Sequence, residues 1–308
     1  MRTVKRAVLT GATGAVGSAL VRLLLAQKIE VAVLCRPGSP RLKNLPTNPA
    51  LTLVETDMTR LSAVQLPGTW DAFFHLAWMG TTGQARNDLK MQNENVRCAL
   101  EAVDLAARIG CQVFVGVGSQ AEYGHVEGAL RPDTPAFPET GYGIAKLCAG
   151  EMTRLACEQK GLAHIWARIL SVYGPGDGSQ SLVSSVLGAL LNGEEPACTA
   201  GEQLWDYLYC EDAARALLLM AQKGIDGAVY PLGSGQARPL REYILAMRDA
   251  VNPDLRVGLG KRPYPLGQVM YLCADLTQLT ADTGFEPEVP FSEGIKKTID
   301  WMRTARNG

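Results

Sequence analysis

A doubly wound α/β fold, an open parallel sheet covered by helices on both faces, is what the sequence predicts, with a smaller α/β lobe closing the chain. Three observations predict it. Through the first two-thirds of the 308 residues, short apolar, β-branched runs alternate with helical patterns. That alternation builds parallel strands joined by crossover helices. The first strand–helix junction is a glycine-punctuated turn, Gly11-Ala-Thr-Gly14-Ala-Val-Gly17. After Tyr173 the regular alternation breaks at Gly174-Pro-Gly-Asp-Gly178 and becomes irregular.

The elements follow in order. Residues 4–10 form the first strand, and the glycine turn opens a helix that runs through Ala26. Residues 30–35, 51–55 and 72–76 are the second, third and fourth strands. A long helical pattern covers 89–109, and 113–117 is the fifth strand. A helix over 142–160 leads to a sixth strand at 163–169. A helix at 211–223 and a strand at 228–231 return to the sheet. The main domain is therefore expected over 1–173, completed by 206–232, and the smaller lobe over 174–205 and 233–308. No internal repeat or low-complexity tract interrupts this plan.

Composition removes several function classes. Hydrophobic residues make up 47% and charged residues 20%, as in ordinary globular proteins. A net charge of -1 gives no reason to expect nucleic acid or an anionic membrane as a partner. Near the amino terminus only Ala7-Val8-Leu9 is apolar before Thr10, too short for a secretory signal, and no segment reaches the roughly 18 apolar residues of a membrane span. A cytoplasmic protein is expected. The eight cysteines include no C-x-x-C pair and read as reduced core thiols. His75, His125 and His164 lie far apart, so no metal site is expected.

The glycine turn carries the first chemistry. Glycines at this junction let the backbone turn tightly, approach a pyrophosphate and pack the helix close to the sheet, while the helix offers free N–H groups and a positive dipole end. Gly11, Thr13, Gly14, Ala15, Val16 and Gly17 are thus candidate dinucleotide contacts. The end of the second strand is where an adenosine ribose is read. Cys35-Arg36 stands there in place of an acid, with Arg41 nearby, which favours NADP(H) over NAD(H). NAD(H) is compatible with the same turn. Asp57 could accept from an adenine amino group or serve as a turn aspartate.

The second chemistry is Tyr142-Gly-Ile-Ala-Lys146 at the start of a predicted helix. Four-residue spacing puts both side chains on one face. A free phenol titrates near pH 10, and a neighbouring ammonium lowers it into a range useful for proton transfer. Ser119 follows the fifth strand, at the sheet edge where ligands bind. Its hydroxyl could hold a reacting oxygen or cap a turn.

These motifs come in a recognisable order: the turn at 11–17, His75-Leu-Ala77, Asn95-Val96, Ser119 with Tyr123-Gly124, Tyr142-x-x-x-Lys146, Val172-Tyr-Gly-Pro-Gly176, Asp206-Tyr-Leu-Tyr209 and Glu293-Gly294-Ile295…Trp301. In this the chain resembles the extended short-chain dehydrogenase/reductases, the NAD-dependent epimerase/dehydratase group, over nearly its whole length. The resemblance implies a Rossmann-type domain with a C-terminal substrate lobe, and nucleotide-sugar substrates. It implies that Tyr142 is the acid/base, that Lys146 tunes it and holds the nicotinamide ribose, and that Ser119 orients the substrate oxygen. Met58, Leu76, Ala77 and Asn95 would line the cofactor. Gln120, Arg168, Ser171, Trp205 and Arg238 would meet the substrate. Pairing of the helices over 89–109 and 142–160, through Ala99, Ala102, Ala145 and Ala149, would give a homodimer.

Departures from the family pattern narrow the reaction. Gln120 and Ala121 stand where sugar 4,6-dehydratases place acids, with Glu122 one position off register, and Ala121 stands where the fucose-synthase-like branch has cysteine. Trp205 replaces the arginine that often binds the substrate pyrophosphate, and Ser171 a frequent asparagine, so either Arg238 or Arg262 neutralises the phosphates or the substrate is not a nucleotide sugar. The expected function is NADPH-dependent reduction of a nucleotide-linked 4-keto-6-deoxyhexose. The alternatives are an NAD-dependent nucleotide-sugar 4-epimerase and a non-catalytic dinucleotide sensor.

Overall fold

In the computed structural model, which describes residues 1–265 and 267–307, seven parallel strands form the central sheet. In chain order the strands of the first part are β1 (Arg6–Thr10), β2 (Glu30–Cys35), β3 (Leu51–Glu55), β4 (Ala72–His75), β5 (Val113–Ser119) and β6 (Ala163–Ile169). The sheet order is β3-β2-β1-β4-β5-β6, closed at the far edge by the strand Val229–Leu232. Every pairing in it is parallel. The order reverses beside β1, which opens a crevice at the carboxyl ends of β1 and β4.

Side chains alternate across this sheet, so both faces are apolar. Ala7 and Leu9 join the core on one face while Val8 joins the core on the other, and Phe74 and Phe73 divide in the same way. On the first face α1 (Ala15–Ala26) buries Ala19, Leu20, Val21 and Leu24. On the second face α2 (Leu89–Arg108) packs against α3 (Gly141–Lys160). Both helices start on a side-chain cap, Asp88 accepting from Met91 N and Thr140 from Gly143 N. α3 ends on Gly161, left-handed at φ 69°.

The chain leaves the large sheet after β6. β7 (Ser171–Tyr173), α4 (Leu182–Leu191) and β8 (Leu204–Tyr209) come next. Next, α5 (Cys210–Lys223) packs on α1, and β9 (Val229–Leu232) is the edge strand already described. β10 (Ala237–Pro239), α6 (Leu240–Val251), α7 (Thr277–Thr283) and α8 (Phe291–Asn307) finish the chain. β7, β8 and β10 form a separate three-stranded sheet, β7 parallel and β10 antiparallel to β8. The expected returning helix and strand at 211–223 and 228–231 are α5 and β9, while β8 before them pairs in the small sheet. Tyr173, Tyr207, Tyr243 and Phe291 pack ring against ring between this small sheet, α6 and α8. No helix among the described residues is long and apolar enough to cross a membrane.

Candidate active site

The crevice is made by close backbone approach. Gly11 has φ 70°, and a Cβ there would stand 2.6 Å from Ala77 N and from the Leu76 carbonyl carbon. A Cβ on Gly17 would stand 2.4 Å from the Gly11 carbonyl oxygen. Only glycine lets the turn lie against β4's exit and lets α1 lie against the turn. Gly14 caps α1, whose first turn carries no acidic residue, so its free N–H groups face the crevice unopposed.

A cleft of about 640 Å³ runs along this edge. Of the expected cofactor residues, Gly11, Thr13, Gly14, Arg36, Asp57, Met58, Leu76 and Ala77 line it, with Ser39 and Arg41 at the same end as Arg36. Ala15, Val16 and Gly17 stand behind the turn, in the helix it opens. Asn95 is fully buried and spends its amide on Met79, accepting from its N–H at 2.8 Å and donating to its carbonyl at 3.0 Å. It shapes the cleft wall instead of facing the cleft. Asp57 accepts from the N–H and the hydroxyl of Thr59, and those bonds, then the charges of Arg36 and Arg60, hold its carboxyl below the usual range. One of its oxygens is thus a helix cap.

Ser119, Tyr142 and Lys146 converge at the carboxyl end of β5. The strand is two residues longer than expected and carries Ser119 to its last position. The Ser119 Oγ accepts from Ala121 N at 3.2 Å, so the serine caps a short turn and still has its proton to donate. Lys146, 3% exposed, donates to the Val117 carbonyl at 2.6 Å and lies 3.8 Å over the Trp78 ring. Its Nζ stands 5.9 Å from the Tyr142 ring centre. Burial pushes this ammonium down to about 7, against the pull of Glu122.

Tyr142 departs from expectation. Burial raises its phenol, and the opposing influences are the Ser119 hydroxyl and then Arg86. The guanidinium of Arg86 lies 4.3 Å over the ring. Arg86, which the sequence pattern did not single out, is thus a second cation beside the tyrosine, with Lys146 on its other approach. Trp78, edge-on to Tyr142 and bonded through Nε1 to Gln92 at 2.8 Å, was missed likewise. His75 is neutral, pushed down to about 3 by burial and by Lys146, and hydrogen-bonds Thr10 at 3.0 Å.

A second cavity, of about 400 Å³, opens between β7, β8 and the start of α4. Ser171 and Trp205 both line it, joined by a Trp205 Nε1 bond to Ser171 Oγ of 2.8 Å. Asp177 lines it too, its carboxyl raised by burial. So does Gln203, whose Oε1 is buried without a hydrogen-bond partner, an acceptor suited to a ligand hydroxyl or amide. Among the described residues the wall of this cavity carries no lysine or arginine. Arg238 sits across the strand from Trp205 and donates to Gln236, outside that wall. Arg168, expected at the substrate, is buried in an ion pair with Glu122 at 2.6 Å and lies over the Tyr123 ring. Gln120 is half-buried in the turn that Ser119 caps. Among the described residues no group of three or more His, Cys, Asp or Glu could hold a metal ion.

The comparisons with known proteins agree with this fold. The family model for the NAD dependent epimerase/dehydratase family matches residues 7–233. The chain is 25% identical over 315 residues to a dTDP-glucose 4,6-dehydratase of Streptomyces griseus, covering 97% of this chain and 94% of that protein. It is 27% identical over 322 residues to a dTDP-4-dehydro-6-deoxy-D-allose reductase of Streptomyces bikiniensis, covering 96% and 95%. Its fold matches that of a UDP-N-acetylglucosamine 4-epimerase from Methanobrevibacter ruminantium M1, solved with UDP-N-acetylmuramic acid, at a TM-score of 0.89 and 23% identity, covering 99% of this chain and 100% of that one.

Proposed function

This chain belongs to the NAD dependent epimerase/dehydratase family, and on that premise we propose that it is an NADPH-dependent reductase of a nucleotide-linked 4-keto-6-deoxyhexose. The observation that carries the reading is the convergence of Ser119, Tyr142 and Lys146 at the end of β5, against Trp78 of the cleft wall, with no free carboxyl beside them among the described residues. The nearest acid, Glu122, is 0% exposed and bonded to Arg168 and Trp166. A sugar dehydratase needs an acid that reaches its substrate, and Gln120 and Ala121 supply none.

The cleft fits a dinucleotide. Gly11, Thr13 and Gly14 with the first turn of α1 would hold the pyrophosphate, and Arg36, Ser39 and Arg41 a ribose 2′-phosphate, which supports NADP(H) over NAD(H). When bound, the nicotinamide supplies the hydride. Tyr142 would give its phenolic proton to the substrate oxygen as negative charge develops there, and Ser119 would donate a hydrogen bond to the same oxygen. Lys146 would hold the nicotinamide ribose and the protonation state around it. The lobe made by 174–205 and 233–308 would take the substrate, with Ser171, Trp205 and Gln203 on its hydroxylated part. The helices α2 and α3 would pair with those of a second copy.

The test is NADPH absorbance with enzymatically made CDP-, dTDP- and GDP-linked 4-keto-6-deoxy sugars. Oxidation with one of them supports the reading. No oxidation with any, together with interconversion of a UDP-hexose pair, would replace it with the 4-epimerase reading.

A further inference from the structure

Beneath the reactive groups lies a buried polar cluster that the proposed mechanism does not yet use. Glu122 Oε1 accepts from Ser119 N at 2.7 Å, both its oxygens accept from Trp166 Nε1 at 3.1 Å, and Oε2 accepts from Arg168 Nε at 2.6 Å. All of these partners are donors, which suits an ionised carboxylate, an acceptor with no proton to give. Burial pulls the group upward, and Arg168 with these bonds opposes that. The backbone is cleared for the cluster. A Cβ on Gly118 would stand 2.2 Å from Glu122 Oε1 and 2.3 Å from Trp166 Nε1, and one on Gly116 would stand 2.3 Å from the Trp166 ring. Gly150 on α3 gives the ring its remaining room, at 2.9 Å. The same stretch of β5 also receives Lys146 of α3, whose Nζ donates to the Val117 carbonyl. Glu122 and Lys146 thus bond the backbone of one strand two residues apart, at Ser119 and at Val117.

We propose that Glu122 is a positioning residue: its carboxylate fixes Ser119 at the end of β5 and supplies the negative charge that faces the Lys146 ammonium through the strand. The inference rests on the reading of Ser119, Tyr142 and Lys146 as the reacting trio. The groups facing Lys146 are Glu122, His75 from β4, Tyr142 from its own helix and the Trp78 ring. Those facing Glu122 are Arg168, Tyr123, Tyr142 and Lys146. His75 is neutral, so the one anion opposing Lys146's burial is Glu122. The sign follows. The ammonium is present below its titration midpoint and lost as pH rises through it, and removing the carboxylate moves that midpoint down.

The measurement is the Lys146 ¹³Cε resonance in ¹³C-lysine-labelled protein, assigned by its disappearance in Lys146→Arg and followed against pH. Glu122→Gln should lower the midpoint by about one pH unit or more, the scale of a lost opposite charge. Because that variant leaves Arg168 buried and unpaired, Glu122→Gln/Arg168→Gln is measured beside it. The double variant strands no charge and should show the same downward shift. A wild-type midpoint in the folded double variant would overturn the proposal and leave Glu122 a packing residue. The alkaline limb of kcat should move with the resonance. If the resonance shifts and no preparation turns over, the positioning role stands and the assignment of the trio to catalysis falls.

Discussion

In the proposed reaction Tyr142 gives the proton to the substrate oxygen. Tyr142→Phe keeps the ring between Trp78 and Arg86 and removes the proton. Turnover should fall by about two to four orders of magnitude, the usual scale of lost acid–base catalysis, with cofactor affinity unchanged. Stopped-flow turnover and fluorescence titration of the cofactor check the two halves of that statement. Arg36 stands at the other end of the cleft. Arg36→Ala should weaken NADP(H) about ten- to a hundredfold, the range of a charge-assisted hydrogen bond, and leave NAD(H) alone. Equal losses for both cofactors would remove the 2′-phosphate role. At this scale the sequence was legible where chemistry is written locally. The four-residue spacing of Tyr142 and Lys146 falls on the first turns of α3, and Ser119 ends β5. Arg86 over the tyrosine and Glu122 under the serine were not legible. Each acts on a group from another element, and no periodicity in one segment records such a meeting. Arg168 misled for the same reason, since its partner lies 46 positions away.

Among the elements, the junction of β1 with α1 has the least tolerance. The helix approaches the turn so closely that a methyl group on Gly17 would meet the Gly11 carbonyl oxygen and the backbone of Ala12. Those are backbone atoms with no rotamer to yield. Gly17→Ala should therefore cost about 1–3 kcal/mol, the range for overpacking a tight interior, and it should displace the turn that meets the pyrophosphate. Urea denaturation and cofactor titration should both register the change, and wild-type values in both would show that the helix can shift freely. The large sheet was readable because its strands are apolar on both faces and its helices are long. The small sheet was not, because β7 and β10 have three residues each and owe their strand form to β8.

For the whole molecule, the exposed apolar surface points to a second copy. Ile144, Met152 and Leu155 on α3 are 54%, 42% and 48% exposed, and Cys148 lies between them on the same helix. Spacings of eight and three place the three apolar residues along one stripe. Light scattering at micromolar concentration should give twice the chain mass, and Met152→Glu/Leu155→Glu should return it to the monomer. A monomer in the wild type would leave the stripe without its expected partner. In the proposed reaction a hydride passes to a substrate carbon while Tyr142 protonates the oxygen. The most direct test gives the protein NADPH deuterated at the transferable position of nicotinamide C4 and a nucleotide-linked 4-keto-6-deoxyhexose, then locates the label in the product. One deuterium at sugar C4, with loss of label from the cofactor and transfer slowed by about two to four orders of magnitude in Tyr142→Phe, is the predicted result. An unlabelled product, or label transfer undiminished in Tyr142→Phe, would contradict it.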